Sequence, residues 1–218
     1  GDVIVKTTET VTGGTNGIYS RAGDGLVDIY VDAALTADSD DNGTGDGILV
    51  YTYEASVSVV TTDNGTIAGT AEDGIQISVN GGSAKGAGNA DTYGNIYVNA
   101  GADIGEVGDE VDANGIRTFN AGANGGYGDT TIKGDANIFA YNDGINAWSD
   151  GLGAITIDTT GNITSYGTTD AAKAATAGDH GVIAIIGNAL NDQDINVTLA
   201  GDVSSYDNAV HACTYGTG

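Results

Sequence analysis

Apolar residues in this chain come in short alternating bursts. Ile75-Gln76-Ile77-Ser78-Val79 and Ile155-Thr156-Ile157 place β-branched side chains on every second position, between clusters of Gly, Asn and Asp. Alternation over three to five residues, bounded by turn formers, predicts short strands. Glycine costs about 1 kcal/mol relative to alanine inside a helix, and 37 glycines are spread through the 218 residues. Only residues 171–177, rich in alanine, suit a turn or two of helix. The pattern predicts an all-β chain.

The bursts recur behind a tripeptide of Asn or Asp, then Gly, then Ile. It stands at Asn16-Gly17-Ile18, Asp46-Gly47-Ile48, Asp73-Gly74-Ile75, Asn114-Gly115-Ile116 and Asp143-Gly144-Ile145, with looser copies at His180-Gly181-Val182 and Asn208-Ala209-Val210. The central residues are 30, 27, 41, 29, 37 and 28 positions apart. A period near 28, lengthened twice, marks stacked repeats. The Asn/Asp-Gly pairs are expected to supply positive-φ residues at sharp corners. Each repeat reads as three strands. The first follows the anchor (48–52, 75–79, 145–148), the second covers positions such as 29–31, 57–59, 96–98, 155–157 and 195–197, and a short third covers 67–68, 104–105, 138–140, 163–165 and 203–204. Three strands and three corners per repeat predict a triangular, single-stranded parallel β-helix of about six coils. Each strand then pairs with its counterpart one coil away, about 4.8 Å along the axis.

Alternation also sorts the side chains. The position after the anchor glycine holds Ile18, Ile48, Ile75, Ile116, Ile145, Val182 and Val210, an unbroken β-branched column expected to point inward. Two residues on come Ser20, Val50, Ile77, Thr118, Ala147, Ala184 and Ala212, also inward and generally small. One coil cannot bury such residues, whereas stacked coils give a continuous narrow core.

Asp143-Gly144-Ile145-Asn146-Ala147, Ile155-Thr156-Ile157 and Thr160-Gly161-Asn162-Ile163-Thr164 together resemble the repeats of autotransporter passenger domains. The likeness extends over every copy from Asn16 onward. It implies a long right-handed parallel β-helix and an extracellular place on a bacterial surface. Residues 1–218 are expected to form one solenoid domain, with partial coils at 1–15 and 208–218. Val3-Ile4-Val5 reads as a second strand without its first, and Val210-His211-Ala212 as a first strand without its second and third. Such open strand edges suggest a segment of a longer chain, or units that join end to end.

Charge narrows the partners. Asp plus Glu number 30 against 6 Lys plus Arg, a formal net charge of -24. A surface this acidic repels phosphate backbones and anionic headgroups, so nucleic acid and membrane surfaces are poor partners. No apolar run is long enough to span a membrane as a helix. The lone Cys213 cannot form an internal disulfide. Insertions at 36–45, 105–113 and 167–179 leave one corner. Two of them are acidic, through Asp38, Asp40, Asp41 and Asp46, then Glu106, Asp109, Glu110 and Asp112. Clustered carboxylates suit calcium, but EF-hand spacing is missing, and a solvated edge is the simpler expectation. No cofactor is expected.

Catalytic constellations are thin. A polysaccharide lyase or hydrolase on this scaffold is the alternative function, yet outward-facing Arg117 has Gln76 and Asn146 as ladder neighbours and no Asp among them. His211 and Cys213 share an outward face without an orienting acid. Asn-x-Thr sequons at Asn42, Asn64, Asn162 and Asn196 arise easily in such a composition. One outward column stands apart: Arg21, Tyr51, Ser78, Phe119, Trp148, Ile185 and Cys213. Tyr51, Phe119, Trp148 and Ile185, with Ile183 on the same face, are the candidate partner-contact stripe, either covered by corner loops or open to another chain or carbohydrate. The expected function is non-catalytic: an extracellular stalk, adhesin or filament segment. Expected partners are further copies of the chain, or host and surface carbohydrate or protein.

Overall fold

The computed structural model describes residues 1–37, 44–80, 94–121, 126, 128–167 and 179–217. Residues 171–177 and Asp38, Asp40, Asp41 and Asn42 therefore lie outside the described residues. The described chain is a parallel β-helix with three faces, each a sheet of seven strands. Strands are numbered along the chain. One face contains β1 (Val3–Thr7), β4 (Leu26–Val31), β7 (Ser56–Thr61), β10 (Ile96–Ala100), β13 (Thr130–Gly134), β16 (Ile155–Thr159) and β19 (Ile195–Leu199). A narrow face contains β2 (Val11–Thr12), β5 (Leu35–Thr36), β8 (Thr66–Ala68), β11 (Asp103–Ile104), β14 (Ile138–Ala140), β17 (Ile163–Ser165) and β20 (Val203–Ser204). The third, or anchor sheet, contains β3 (Ile18–Ala22), β6 (Ile48–Thr52), β9 (Ile75–Asn80), β12 (Ile116–Ala121), β15 (Ile145–Ser149), β18 (Val182–Ile186) and β21 (Val210–Thr214). Each sheet thus has seven rungs, one for each anchor. The edge assignments hold as well: residues 3–5 join the second-strand sheet and residues 210–212 the anchor sheet.

Register follows the columns. Ile18, Ile48, Ile75, Ile116, Ile145, Val182 and Val210 are successive ladder partners. The narrow face stacks Leu35, Ile67, Ile104, Ile138, Ile163 and Val203 in the same way. These side chains form one core along the helix, except Val210. Against the inward expectation, Val210 and Ala212 are exposed on β21, the edge strand of the anchor sheet, where no further strand covers them. Thr130 interrupts the core: ladder partner of Ile96 and Ile155, it is buried, and its hydroxyl has no hydrogen-bond partner among the described residues. Thr130→Val keeps the shape and removes an unsatisfied polar group, so it should stabilise the fold by about 1 kcal/mol. Denaturant titration of the variant checks this, and a loss of stability would mean that the hydroxyl is bonded after all.

The anchor glycines have a different cause from the one expected. Gly17, Gly47, Gly74, Gly115, Gly144 and Gly181 are not among the positive-φ residues, so turn conformation does not select them. Space does. A Cβ on Gly144 would lie 2.2 Å from Ile163 Cγ2 and 2.6 Å from the Gly181 carbonyl oxygen. Gly115 meets Ile138 and Gly181 meets Val203 in the same way. The narrow-face residue of each coil occupies the volume that an anchor side chain would need.

The Asn and Asp residues before these glycines have a structural task too. Asn16, Asp46, Asp73, Asn114 and Asp143 each accept, through Oδ1, the backbone N–H of the equivalent residue in the next coil, ending at His180. A second ladder runs through Asp103, Asn137, Asn162 and Asp202, and a third passes from Asn95 to Asp129 to Ala154. All three corners therefore carry side-chain acceptors for donors that fall outside the sheets.

Candidate functional site

The outer face of the anchor sheet carries a groove of about 780 Å³. Strands β6, β9, β12 and β15 form its floor, with Tyr51, Gln76, Arg117, Phe119, Asn146 and Trp148 pointing outward because their neighbours fill the core. The corner residues Glu72, Asp73, Asn142 and Asp143 form one wall. Asp150 stands at the end of β15 and accepts a hydrogen bond from the Trp148 indole N–H at 2.7 Å. A smaller cleft of about 320 Å³ continues the groove through Tyr51 to Tyr19, Arg21 and Tyr53. There Tyr19 and Tyr51 pack edge to face at 6.4 Å, and Arg21 donates to the Tyr53 hydroxyl at 3.3 Å.

The expected stripe is only partly in this groove. Phe119 and Trp148 are ladder partners, and Tyr51 is separated from Phe119 by Ser78. Trp148 is 38% exposed, and Tyr51 and Phe119 are half-buried. Ile183 and Ile185 lie one coil beyond Asn146 and Trp148, outside the lining residues, and Ile185 is 8% exposed. Sequence reasoning missed Asp150 and the acidic wall, because a ladder column compares equivalent positions and overlooks corner residues that lean across the face. The same omission hid the partner of Arg117. Gln76 and Asn146 are its ladder neighbours, as expected, but its guanidinium also lies 3.7 Å from Asp73 Oδ2.

Asp46 is buried in the corner ladder. Glu106 and Asp109 pair through their backbones, and Glu110 accepts the Gly108 N–H. Among the described residues no three His, Cys, Asp or Glu side chains converge as a metal site. At the far end His211 rests edge-on against His180 at 5.2 Å, and Cys213 is half-buried. His180 Nδ1 sits 3.1 Å from Asp143 Oδ1.

Burial of the ladder acids has an electrostatic consequence. Burial, reinforced by the carboxylate of Asp73 in the next coil, pushes the Asp46 carboxyl up to about 7 from an ordinary 3.8. Asp73 is raised as well, again chiefly by burial. Between about pH 4 and 7 the folded chain keeps a proton at Asp46 that the unfolded chain has released. The associated stability is complete below 3.8 and is lost as pH rises through 7. Asp46→Asn retains the ladder acceptor, as Asn16 and Asn114 show. It should stabilise the chain at pH 8 by on the order of 2 kcal/mol, and the gain should vanish by pH 4. Melting curves of both proteins across this range test the sign, since every other carboxylate is common to the two.

No helix of the described residues is long and apolar enough to cross a membrane. No protein-family profile, curated protein or solved structure matches the chain.

Proposed function

We propose that this chain is a non-catalytic structural rod: a stalk, adhesin or filament segment of the autotransporter-passenger kind, exposed on a bacterial surface. The observation that carries this reading is the use made of its polar side chains. Corner Asn and Asp residues are bound to the next coil's backbone along all three edges, so these polar side chains serve the architecture. Terminal coils add support. Val3, Val5 and Val11 at one end, and Ile195, Val197, Leu199 and Val203 at the other, are half-buried side chains packed against the core. Another copy stacked on these faces would complete their burial. Stacking of copies with a contact that does not close gives filaments.

Light scattering and electron microscopy of the 218-residue chain test assembly, alongside a variant with charged residues appended after Gly218. The expected result is concentration-dependent growth that the appended charges suppress. A well-folded monomer at high concentration, indifferent to the appendage, would overturn self-assembly. The alternative, a carbohydrate-active enzyme, draws support from Arg117 beside Asp73 in the groove. Depolymerisation of an acidic polysaccharide that survives purification and is lost in Arg117→Ala would replace the structural reading.

A further inference from the structure

We propose that the groove on the anchor sheet, together with the Tyr19–Tyr53 cleft, binds an oligosaccharide bearing free amino groups, laid along the rod axis. The inference deepens the proposed function and rests on its adhesin reading.

Three observations carry it. The first is a row of aromatic side chains along the axis: Tyr19, then Tyr51 with Tyr53 beside it in the same coil, then Phe119 and Trp148. Strands repeat about every 4.8 Å, so the two rungs from Tyr51 to Phe119 span about 10 Å and the whole row about 20 Å. Rings set along a line suit the apolar faces of successive pyranose units. The second is preorganisation. The indole of Trp148 is tied to Asp150, so its ring is oriented before a ligand arrives, which lowers the ordering cost of binding. Around it Gln76, Asn142 and Asn146 offer neutral amide groups for hydroxyls.

Charge is the third. Glu72, Asp143 and Asp150 border the groove; of the two cations among the described lining residues, Arg117 already lies beside Asp73 and Arg21, in the cleft, is bonded to the Tyr53 hydroxyl. An ammonium on the sugar meets complementary charge, while a uronate or sulfate meets repulsion. The same reasoning disfavours a second copy of this chain on the groove, since each copy carries a net charge of -24. A cationic peptide fits the charge but finds no main-chain partner, because the floor strands β9, β12 and β15 are paired on both sides.

Trp148 is the sole tryptophan, so its fluorescence reports this groove alone. The intact chain would be titrated at physiological salt with a glucosamine oligomer, its fully N-acetylated form, an oligogalacturonate and an oligolysine, and binding followed by calorimetry as well. The expected result is saturable binding of the glucosamine oligomer with a shift of Trp148 emission. Affinity should be about tenfold or more weaker for the acetylated form, and the galacturonate should leave the emission unchanged. Trp148→Ala should weaken calorimetric binding about tenfold with little change in melting temperature, because the ring is partly exposed. No binding, equal affinity for oligolysine, or an unaffected Trp148→Ala variant would overturn the proposal. A monomeric rod that binds the oligomer retires self-assembly alone; a filament that ignores it retires the glycan site alone.

Discussion

Gly144→Ala is expected to destabilise the β-helix by about 3 kcal/mol, a fall of about 6–12 °C in melting temperature for a chain of this size. The added methyl group would overlap Ile163 Cγ2 at 2.2 Å and the Gly181 oxygen at 2.6 Å. Ile163 cannot retreat easily, since Ile138 and Val203 stack on either side of it. The Gly181 oxygen is equally committed, because it accepts the Ile145 N–H. Gly23 supplies the control. Nothing lies within 4 Å of a Cβ there and its φ is ordinary, so Gly23→Ala should be neutral or slightly stabilising through the unfolded chain. Thermal melts of the two variants decide the matter. Equal losses would return the anchor glycine to a conformational role.

Ile157→Asp should be more damaging still, at about 4 kcal/mol or beyond. Ile157 is fully buried, with Ile132 and Val197 as its ladder partners, and a carboxylate there would have neither water nor a donor. Its neighbour Thr156 points outward between Thr131 and Asn196, so Thr156→Asp should change stability by less than about 1 kcal/mol. The pair differs only in which way one side chain leaves the same strand. Comparable losses at both positions would mean that the strand is turned over.

These contrasts show what the sequence made legible. A side-chain period of two, repeated in columns seven residues deep, determines sheet membership, register and inward direction together, because a slip by one residue would expose the core. The column of Ile18, Ile48 and their successors was readable for that reason. Corner chemistry was less so. Asn-Gly and Asp-Gly have a familiar meaning as turns, but here the glycine answers to Ile163 or Ile138, a contact made most of a coil later in the chain. Likewise Arg117 and Asp73 lie 44 positions apart, from 73 to 117, and meet across a corner that no column compares. The interval of 41 residues between Gly74 and Gly115 also hid a second insertion. Residues 81–95 join β9 to β10, in addition to the loop at 105–113, and spacing alone reports only their sum.

The corner ladders have a mechanical corollary. Their hydrogen bonds, like those of the sheets, point from coil to coil along the rod axis. Tension applied at the chain ends peels the terminal coil's bonds one after another, so the rod unwinds turn by turn and does not shear as a unit. Each released turn of about 28 residues can extend by about 90 Å, against the roughly 5 Å it occupied when stacked. A tether built in this way yields at modest force while lengthening many-fold, and a pulling trace should show steps of that size, with the longer coils between Gly74 and Gly115 and between Gly144 and Gly181 giving the largest.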